Sequence, residues 1–106
     1  MVVVGHVNEK GAIPVTRGTP LGNPFPMNHP GERDLVCDKY EEWFNARVDD
    51  PGETEFKSYL NRILGLSRKR LVILGCVCNS SLEAPHRRLR CHADTIKCWI
   101  DKQLEV

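Results

Sequence analysis

The sequence predicts a small α/β sandwich with a short, largely parallel sheet and about three helices. Two runs rich in β-branched and apolar residues, at positions 2–7 and 70–78, are typical of strands, and three other segments carry apolar residues at helical spacing. Two of these helical segments lie between the two strands, so the strands are expected to pair in parallel through a helical crossover. With 106 residues, the chain is expected to fold as one domain over 1–106.

The N-terminal quarter is predicted to form one strand, a short second strand and a stiff loop. β-branched residues at 2–7 predict the first strand, and turn-forming residues at 8–11 end it. A second strand is predicted over 12–16, where Pro14 would confine it to a sheet edge. The loop at 17–25 holds two glycines and two prolines, so it combines permissive and stiff backbone positions.

Two helices, the clearest strand and a third helix are predicted in the rest of the chain. Apolar residues at helical spacing predict helices over 32–48 and 53–66, and a Pro-Gly pair between them ends the first. The continuous apolar run within 70–78 predicts a strand that is covered on both faces. The last helix is predicted over about 91–103, again from the spacing of its apolar residues.

The composition is that of a globular protein with balanced charge. Fifteen basic and 14 acidic side chains give a formal net charge of +1, which provides no general attraction to nucleic acid or to a membrane. The one dense basic run, at 86–90, is either a solvated loop or a patch that faces a phosphate, and a third, weaker option is a contact for nucleic acid. No segment approaches the roughly 20 apolar residues of a membrane-spanning helix. Five cysteines, an odd number, favour reduced thiols and a cytoplasmic location.

The stiff loop carries groups that are suited to a phosphate. Arg17 supplies a fork of donors, Thr19 a hydroxyl, and Asn23 an amide that both donates and accepts. Gly18 and Gly22 would let the backbone approach a ligand closely. The loop matches neither of the common glycine-rich nucleotide motifs. The alternative interpretation is a rigid turn that closes the end of the sheet, with Arg17 paired to a surface acid.

Four residues at the end of the last predicted strand and the start of the last predicted helix allow three interpretations. They could bind zinc as a set of three cysteines and one histidine, formed by Cys76, Cys78, Cys91 and His92. Cys91 could instead be a thiolate nucleophile, activated by the helix N-terminus and by neighbouring arginines. The third interpretation is that these cysteines are small side chains packed in the core.

The start of the last helix also offers groups for catalysis. Asp94 could act as a general base or bind a ribose hydroxyl while the helix amides bind a phosphate, and Cys91 and His92 would complete the catalytic set. Alternatively, Asp94 caps the helix and His92 is a core histidine, four positions before Ile96 on the apolar stripe. Both the loop and this helix start follow a predicted strand, which is where open α/β sheets bind ligands.

Two motifs carry a resemblance to a known family. The loop reads Arg17-Gly-Thr-Pro-Leu-Gly-Asn-Pro-Phe25, and the later motif reads Leu-Gly-Cys-Val-Cys78 followed by Cys91-His-Ala-Asp94. In this order they resemble domain-of-unknown-function family 4326, short proteins that are common in bacteriophages and bacteria. The family is also distantly similar to Rossmann-like nucleotide-sensing proteins. The resemblance therefore implies a Rossmann-like sandwich and, for a phage-encoded member, the host cytoplasm as location.

These observations together predict a nucleotide-like small-molecule partner, bound where the loop 17–25 meets the helix start at 91–94. Hydrolysis or transfer at an N-glycosidic or phosphoribosyl bond is compatible with these residues, and whether the protein is an enzyme stays open. The alternative is a non-enzymatic interaction protein of phage type with a structural zinc site. The sequence also leaves the oligomeric state open.

Overall fold

The computed structural model describes residues 1–77 and 89–105 of the chain. These residues form three strands and three α-helices, with a 3-10 turn just before the first helix. The elements are β1 (Val2–His6), β2 (Ile13–Pro14), α1 (Arg33–Asp49), α2 (Thr54–Ser67), β3 (Val72–Cys76) and α3 (Ala93–Leu104). The predicted α/β fold with a short parallel sheet and three helices is confirmed.

The three strands form a parallel sheet in the order β1-β3-β2. Val2 pairs with Val72 at one end of the β1–β3 ladder, and His6 pairs with Cys76 at the other. The central position of β3 explains its continuous apolar run, because a central strand is covered on both faces. Since all strands run in the same direction, their carboxyl ends meet along one border of the sheet. This border is the carboxyl edge, which differs from the lateral edge formed by β2. The parallel pairing predicted for the first and last strands is therefore correct.

The edge strand β2 is shorter than the predicted range of 12–16. It pairs with β3 only through Ile13 and Pro14, and Pro14 suits this edge strand because it has no N–H to offer to a further strand. The Tyr59 hydroxyl donates to the Pro14 carbonyl oxygen, so a side chain of α2 occupies this acceptor on the sheet edge. Val15 then donates its N–H to Gly75, and the chain leaves the sheet at its carboxyl edge. The predicted edge position of Pro14 is confirmed.

The helices pack on the sheet and on one another through a shared apolar core. α3 contacts β1 and β3, α2 contacts β3, and α1 contacts the other two helices. Aromatic rings join the helices, with Phe44 of α1 lying 5.4 Å from Phe56 of α2 and 6.4 Å from Trp99 of α3, measured between ring centroids. The apolar stripes that predicted the three helices are thus the surfaces by which the helices pack.

Within residues 1–77 and 89–105, no helix combines the length and the apolar character needed to cross a membrane.

Candidate functional site

The carboxyl edge of the sheet opens into a cavity of about 330 Å³. Its wall is built by the chain leaving β2, by the first turns of α1, by Val77 after β3 and by the start of α3. Polar or charged side chains on this wall are those of Thr16, Arg17, Asn23, Arg33 and His92. The remainder of the wall that the structure describes is mainly apolar, and it includes Phe25 and Met27.

Two glycines and a threonine determine the path of the loop that borders the cavity. Gly18 has φ of +94°, in the left-handed region that other residues seldom adopt. At Gly22 a Cβ atom would lie 2.6 Å from the carbonyl oxygen of Thr16, so only glycine allows this approach. The Thr19 hydroxyl donates to the same oxygen at 2.7 Å. Gly18, Thr19 and Gly22 therefore shape the loop, and they are not among the residues that line the cavity.

Arg17 and Asn23 are both held by the backbone of Phe25. The Arg17 Nη2 atom donates to the Phe25 carbonyl oxygen at 3.2 Å, and the Asn23 Oδ1 atom accepts from the Phe25 N–H at 2.9 Å. Arg17 thus bonds to a neutral carbonyl, whereas the alternative interpretation paired it with a surface acid. These contacts fix both side chains on the wall and commit only part of their hydrogen-bonding capacity.

His92 joins the start of α3 to the end of β2. Its Nε2 atom lies 2.6 Å from the carbonyl oxygen of Val15, and its ring meets that of Tyr40 edge-on at a centroid distance of 5.0 Å. A carbonyl can only accept, so the Nε2 atom carries the hydrogen. In the neutral ring the Nδ1 atom is then the acceptor, and it lies 3.6 Å from the Cys91 Sγ atom.

Tyr40 supports this wall from α1. Its hydroxyl donates to the carbonyl oxygen of Leu21 at 2.8 Å, within the core. Burial, with a smaller contribution from the nearby Cys91, raises the pKa of Tyr40 well above its usual value. The hydroxyl therefore stays protonated and acts as a fixed donor that ties the loop to α1.

Cys91 and Asp94 make reciprocal contacts at the N-terminus of α3. The Cys91 Sγ atom accepts from the Ala93 N–H at 3.5 Å, and the Asp94 Oδ2 atom accepts from the Cys91 N–H at 3.0 Å. The bond from the Cys91 N–H to the Asp94 carboxylate is one half of a capping box. The other half differs, because the Asp94 N–H donates to the Cys91 carbonyl oxygen at 3.0 Å and the Cys91 sulfur accepts from Ala93. The capping role that the sequence allowed for Asp94 is thus seen in the structure.

The predicted site residues converge only in part. Arg17, Asn23 and His92 border one cavity, whereas Cys91 is 2% exposed and does not reach its wall. Asp94 borders a different cavity of about 210 Å³ between α1 and α3. Of the three residues predicted to be catalytic, His92 is therefore the one that faces the loop.

The predicted zinc ligands are not assembled in the part of the chain that the structure describes. No three His, Cys, Asp or Glu side chains among residues 1–77 and 89–105 are arranged to hold a metal ion. Cys76 and Cys91 are buried, and Cys91 lies beside His92. The fourth predicted ligand, Cys78, lies outside the described residues, as does most of the basic run at 86–90.

Arg33 is a residue of the cavity wall that belongs to neither sequence motif. It is the first residue of α1, and its Nη1 atom donates to the carbonyl oxygen of Arg90 at 3.0 Å. A basic side chain in the first turn of a helix opposes the helix dipole. That unfavourable position was the signal in the sequence that Arg33 has a role other than helix formation.

The fold and the cavity define a small α/β protein with two arginines and an apolar wall at the carboxyl edge of a parallel sheet. The model of the family described as Domain of unknown function (DUF4326) matches residues 4–102. The chain therefore belongs to this family, as its two motifs predicted. No curated protein and no solved structure matches the chain.

Proposed function

We propose that the protein binds a nucleotide or a nucleotide derivative in the cavity at the carboxyl edge of the sheet. One observation carries this proposal: two arginines and an asparagine share a wall with aromatic and aliphatic side chains at this edge. Open α/β sheets bind their ligands at this edge. The volume of about 330 Å³ lies at the lower end of the range for small-molecule sites, which favours a ligand the size of a mononucleotide.

The two kinds of wall match the two parts of such a ligand. Arg17 and Arg33 would bind the phosphate, because guanidinium groups make charge-assisted hydrogen bonds to its oxygens. Phe25 and Met27 would cover the flat base, since both present apolar surface to the cavity. Asn23 would select the base or the ribose through its amide N–H groups.

For a hydrolysis or transfer reaction, His92 is the candidate for proton transfer. Among the wall residues that the structure describes, it carries the imidazole ring, and its Nε2–H is oriented by the carbonyl of Val15. Cys91 and Asp94 are engaged in capping α3, so a reaction that relied on them would first have to open the start of that helix. We therefore propose ligand binding as the main function, and a reaction only as an additional one.

Calorimetry and thermal unfolding with nucleoside monophosphates, ADP-ribose and sugar phosphates test the proposal. A ligand at 100 times its Kd should stabilise the protein by about 2.7 kcal/mol. Arg17→Gln should weaken binding by about 10- to 100-fold, because the ligand loses a charge-assisted hydrogen bond. Arg70→Gln is the matched control, because Arg70 is exposed and precedes β3 at the opposite edge of the sheet. The proposal fails if no compound stabilises the protein.

A second candidate function is that of an interaction protein with a structural zinc ion. The Cys91 Sγ and His92 Nδ1 atoms are 3.6 Å apart, which is about the separation of sulfur and nitrogen ligands on a tetrahedral zinc. The opposite ring nitrogen of His92 contacts a backbone carbonyl, as is common for metal-bound histidines. These two observations favour a metal on Cys91 and His92, with Cys76 and Cys78 as the further predicted ligands.

Elemental analysis of the purified protein decides between the two candidates. The zinc hypothesis expects about one zinc per chain, lost in Cys91→Ser and kept in the control Cys98→Ser, because Cys98 is exposed on α3. A metal-free protein that folds and is indifferent to chelators would eliminate it. Both candidates keep the predicted cytoplasmic location, the host's cytoplasm if the protein is phage-encoded, which cell fractionation would check.

A further inference from the structure

Arg33 and Arg90 make reciprocal contacts between α1 and the segment that leads into α3. The Arg33 Nη1 atom donates to the carbonyl oxygen of Arg90 at 3.0 Å. In return, the Arg90 Nη1 atom donates to the carbonyl oxygen of Asp34 at 3.3 Å and to its Oδ1 atom at 3.1 Å. Arg33 therefore reaches the backbone of Arg90, and Arg90 reaches the backbone of Asp34 next to Arg33, although 57 positions separate the two arginines in the chain.

The Arg90 side chain lies along an acidic face of α1. Its Nη2 atom donates to Asp38 at 2.7 Å and lies 4.0 Å from a carboxylate oxygen of Glu41. Asp34, Asp38 and Glu41 follow one face of the helix, with spacings of four and three residues. One guanidinium group thus contacts two carboxylates and lies near a third, a pattern that its planar fork of donors allows.

This network has little to contribute to the stability of the fold. The side chains of Asp34, Asp38 and Glu41 are 84%, 65% and 57% exposed, and exposed ion pairs contribute little to the free energy of unfolding. The network instead has a geometric effect, because it fixes the carbonyl of Arg90 against α1. That carbonyl accepts a hydrogen bond from Arg33, which lies on the wall of the cavity.

We propose that Arg90 is a positioning residue for the cavity, which holds the guanidinium of Arg33 in place for an anionic ligand. The anionic ligand in this inference rests on the proposed function. The orientation of Arg33 rests only on the hydrogen bonds described above. Arg90 also directly precedes Cys91 and His92, so the same contacts hold the start of α3 against α1.

The orientation of Arg33 can be tested without a ligand. The Nε–Hε signal of Arg33 in ¹⁵N NMR spectra is assigned by its loss in Arg33→Lys. We expect this signal to shift and to exchange faster with solvent in Arg90→Gln. Lys97→Gln is the matched control, because it removes an exposed Lys97–Asp101 ion pair on α3 that does not border the cavity. An unchanged Arg33 signal in Arg90→Gln overturns the inference.

Binding of inorganic phosphate and of adenosine monophosphate is the second measurement. Arg90→Gln should weaken both by about tenfold with little change in the unfolding midpoint, and Lys97→Gln should leave both unchanged. Asp38→Asn should act in the same direction, and combining it with Arg90→Gln should add little, because the two side chains act as a pair. Arg90→Lys should restore only part of the affinity, since an ammonium group lacks the planar fork.

The two proposals fail in different ways. If the wild-type protein binds neither phosphate nor any nucleotide, the proposed function is wrong, and the NMR signal of Arg33 alone decides the role of Arg90. If the wild-type protein binds and Arg90→Gln binds equally well with an unchanged Arg33 signal, the role of Arg90 is wrong and the proposed function stands.

Discussion

The Nε2 atom of His92 lies 2.6 Å from the carbonyl oxygen of Val15, a residue 77 positions earlier in the chain. Val15 directly follows the edge strand, and His92 directly precedes α3. This hydrogen bond links the second motif to the chain two residues before the first motif, the loop that begins at Arg17. It also determines the tautomer of the ring, because the carbonyl can only accept.

Removal of the His92 ring should destabilise the protein. His92→Ala loses the hydrogen bond to Val15 and the edge-on contact with Tyr40, and we expect the free energy of unfolding to fall by about 1–3 kcal/mol. Urea unfolding measures this change. His29→Ala is the control, since its side chain is 68% exposed. Equal effects of the two substitutions would contradict the structural role of His92.

Alkaline pH should destabilise the protein through Tyr40. Burial keeps the Tyr40 pKa above its usual value in the folded state, so the unfolded chain releases this proton first as the pH rises above about 10. Folding therefore loses up to about 1.4 kcal/mol per pH unit from this group above that pH.

The Tyr40→Phe variant isolates this effect. Below pH 10 it should be less stable than the wild type by about 1 kcal/mol, because the hydrogen bond to Leu21 is lost. Above pH 10 the difference should shrink and then reverse, since phenylalanine does not titrate. Unfolding free energies from pH 8 to 11 provide the comparison, and parallel curves for the two proteins would refute the prediction.

The tight loop should tolerate no side chain at position 22. In Gly22→Ala the new methyl group would lie 2.6–2.8 Å from backbone atoms of Thr16 and Arg17, so we expect a loss of about 1–3 kcal/mol and weaker ligand binding. Gly65→Ala is the matched control in α2, where a Cβ meets nothing within 4 Å. That substitution should stabilise the helix by about 0.5–1 kcal/mol. Calorimetric melting should show a lower stability for Gly22→Ala and a higher stability for Gly65→Ala.

Asp94 should behave as a helix cap rather than as a catalytic group. Asp94→Ala removes the acceptor for the Cys91 N–H and should lower the free energy of unfolding by about 1 kcal/mol. Asp94→Asn retains an acceptor oxygen and should stay close to the wild type. Both variants should bind ligands as the wild type does, measured by calorimetry. A large loss of affinity in the stable Asp94→Asn variant would contradict this prediction and indicate that Asp94 takes part in binding.

Most of the secondary structure could be predicted because its determinants are local. The apolar periods of the three helices, the Pro-Gly pair after α1 and the edge position of Pro14 each depend on a few neighbouring residues. The limits of the strands were less predictable. Of the described residues 70–77 in the predicted strand, β3 includes only Val72–Cys76, because the length of a strand depends on the partner with which it pairs.

The residues that line the cavity could be predicted only in part. Arg17 and Asn23 were expected beside the last helix, and the structure places His92 there with them. The sequence could not show which residue of the helix start faces the loop. Successive helical residues point about 100° apart, so His92 and Asp94 face different sides of the helix start. His92 borders the cavity, whereas Asp94 accepts from the Cys91 N–H and borders the second cavity.

The amino-acid sequence by itself determined the order of the elements, the parallel direction of the sheet and the family to which the chain belongs. These properties depend on local periodicity, on the crossover rule and on short motifs. Only the tertiary structure decided that Arg33 joins Arg17 on one wall and that Arg90 supports it, because these contacts connect residues far apart in the chain. Such contacts depend on how the helices pack over the sheet, and no local pattern encodes that arrangement.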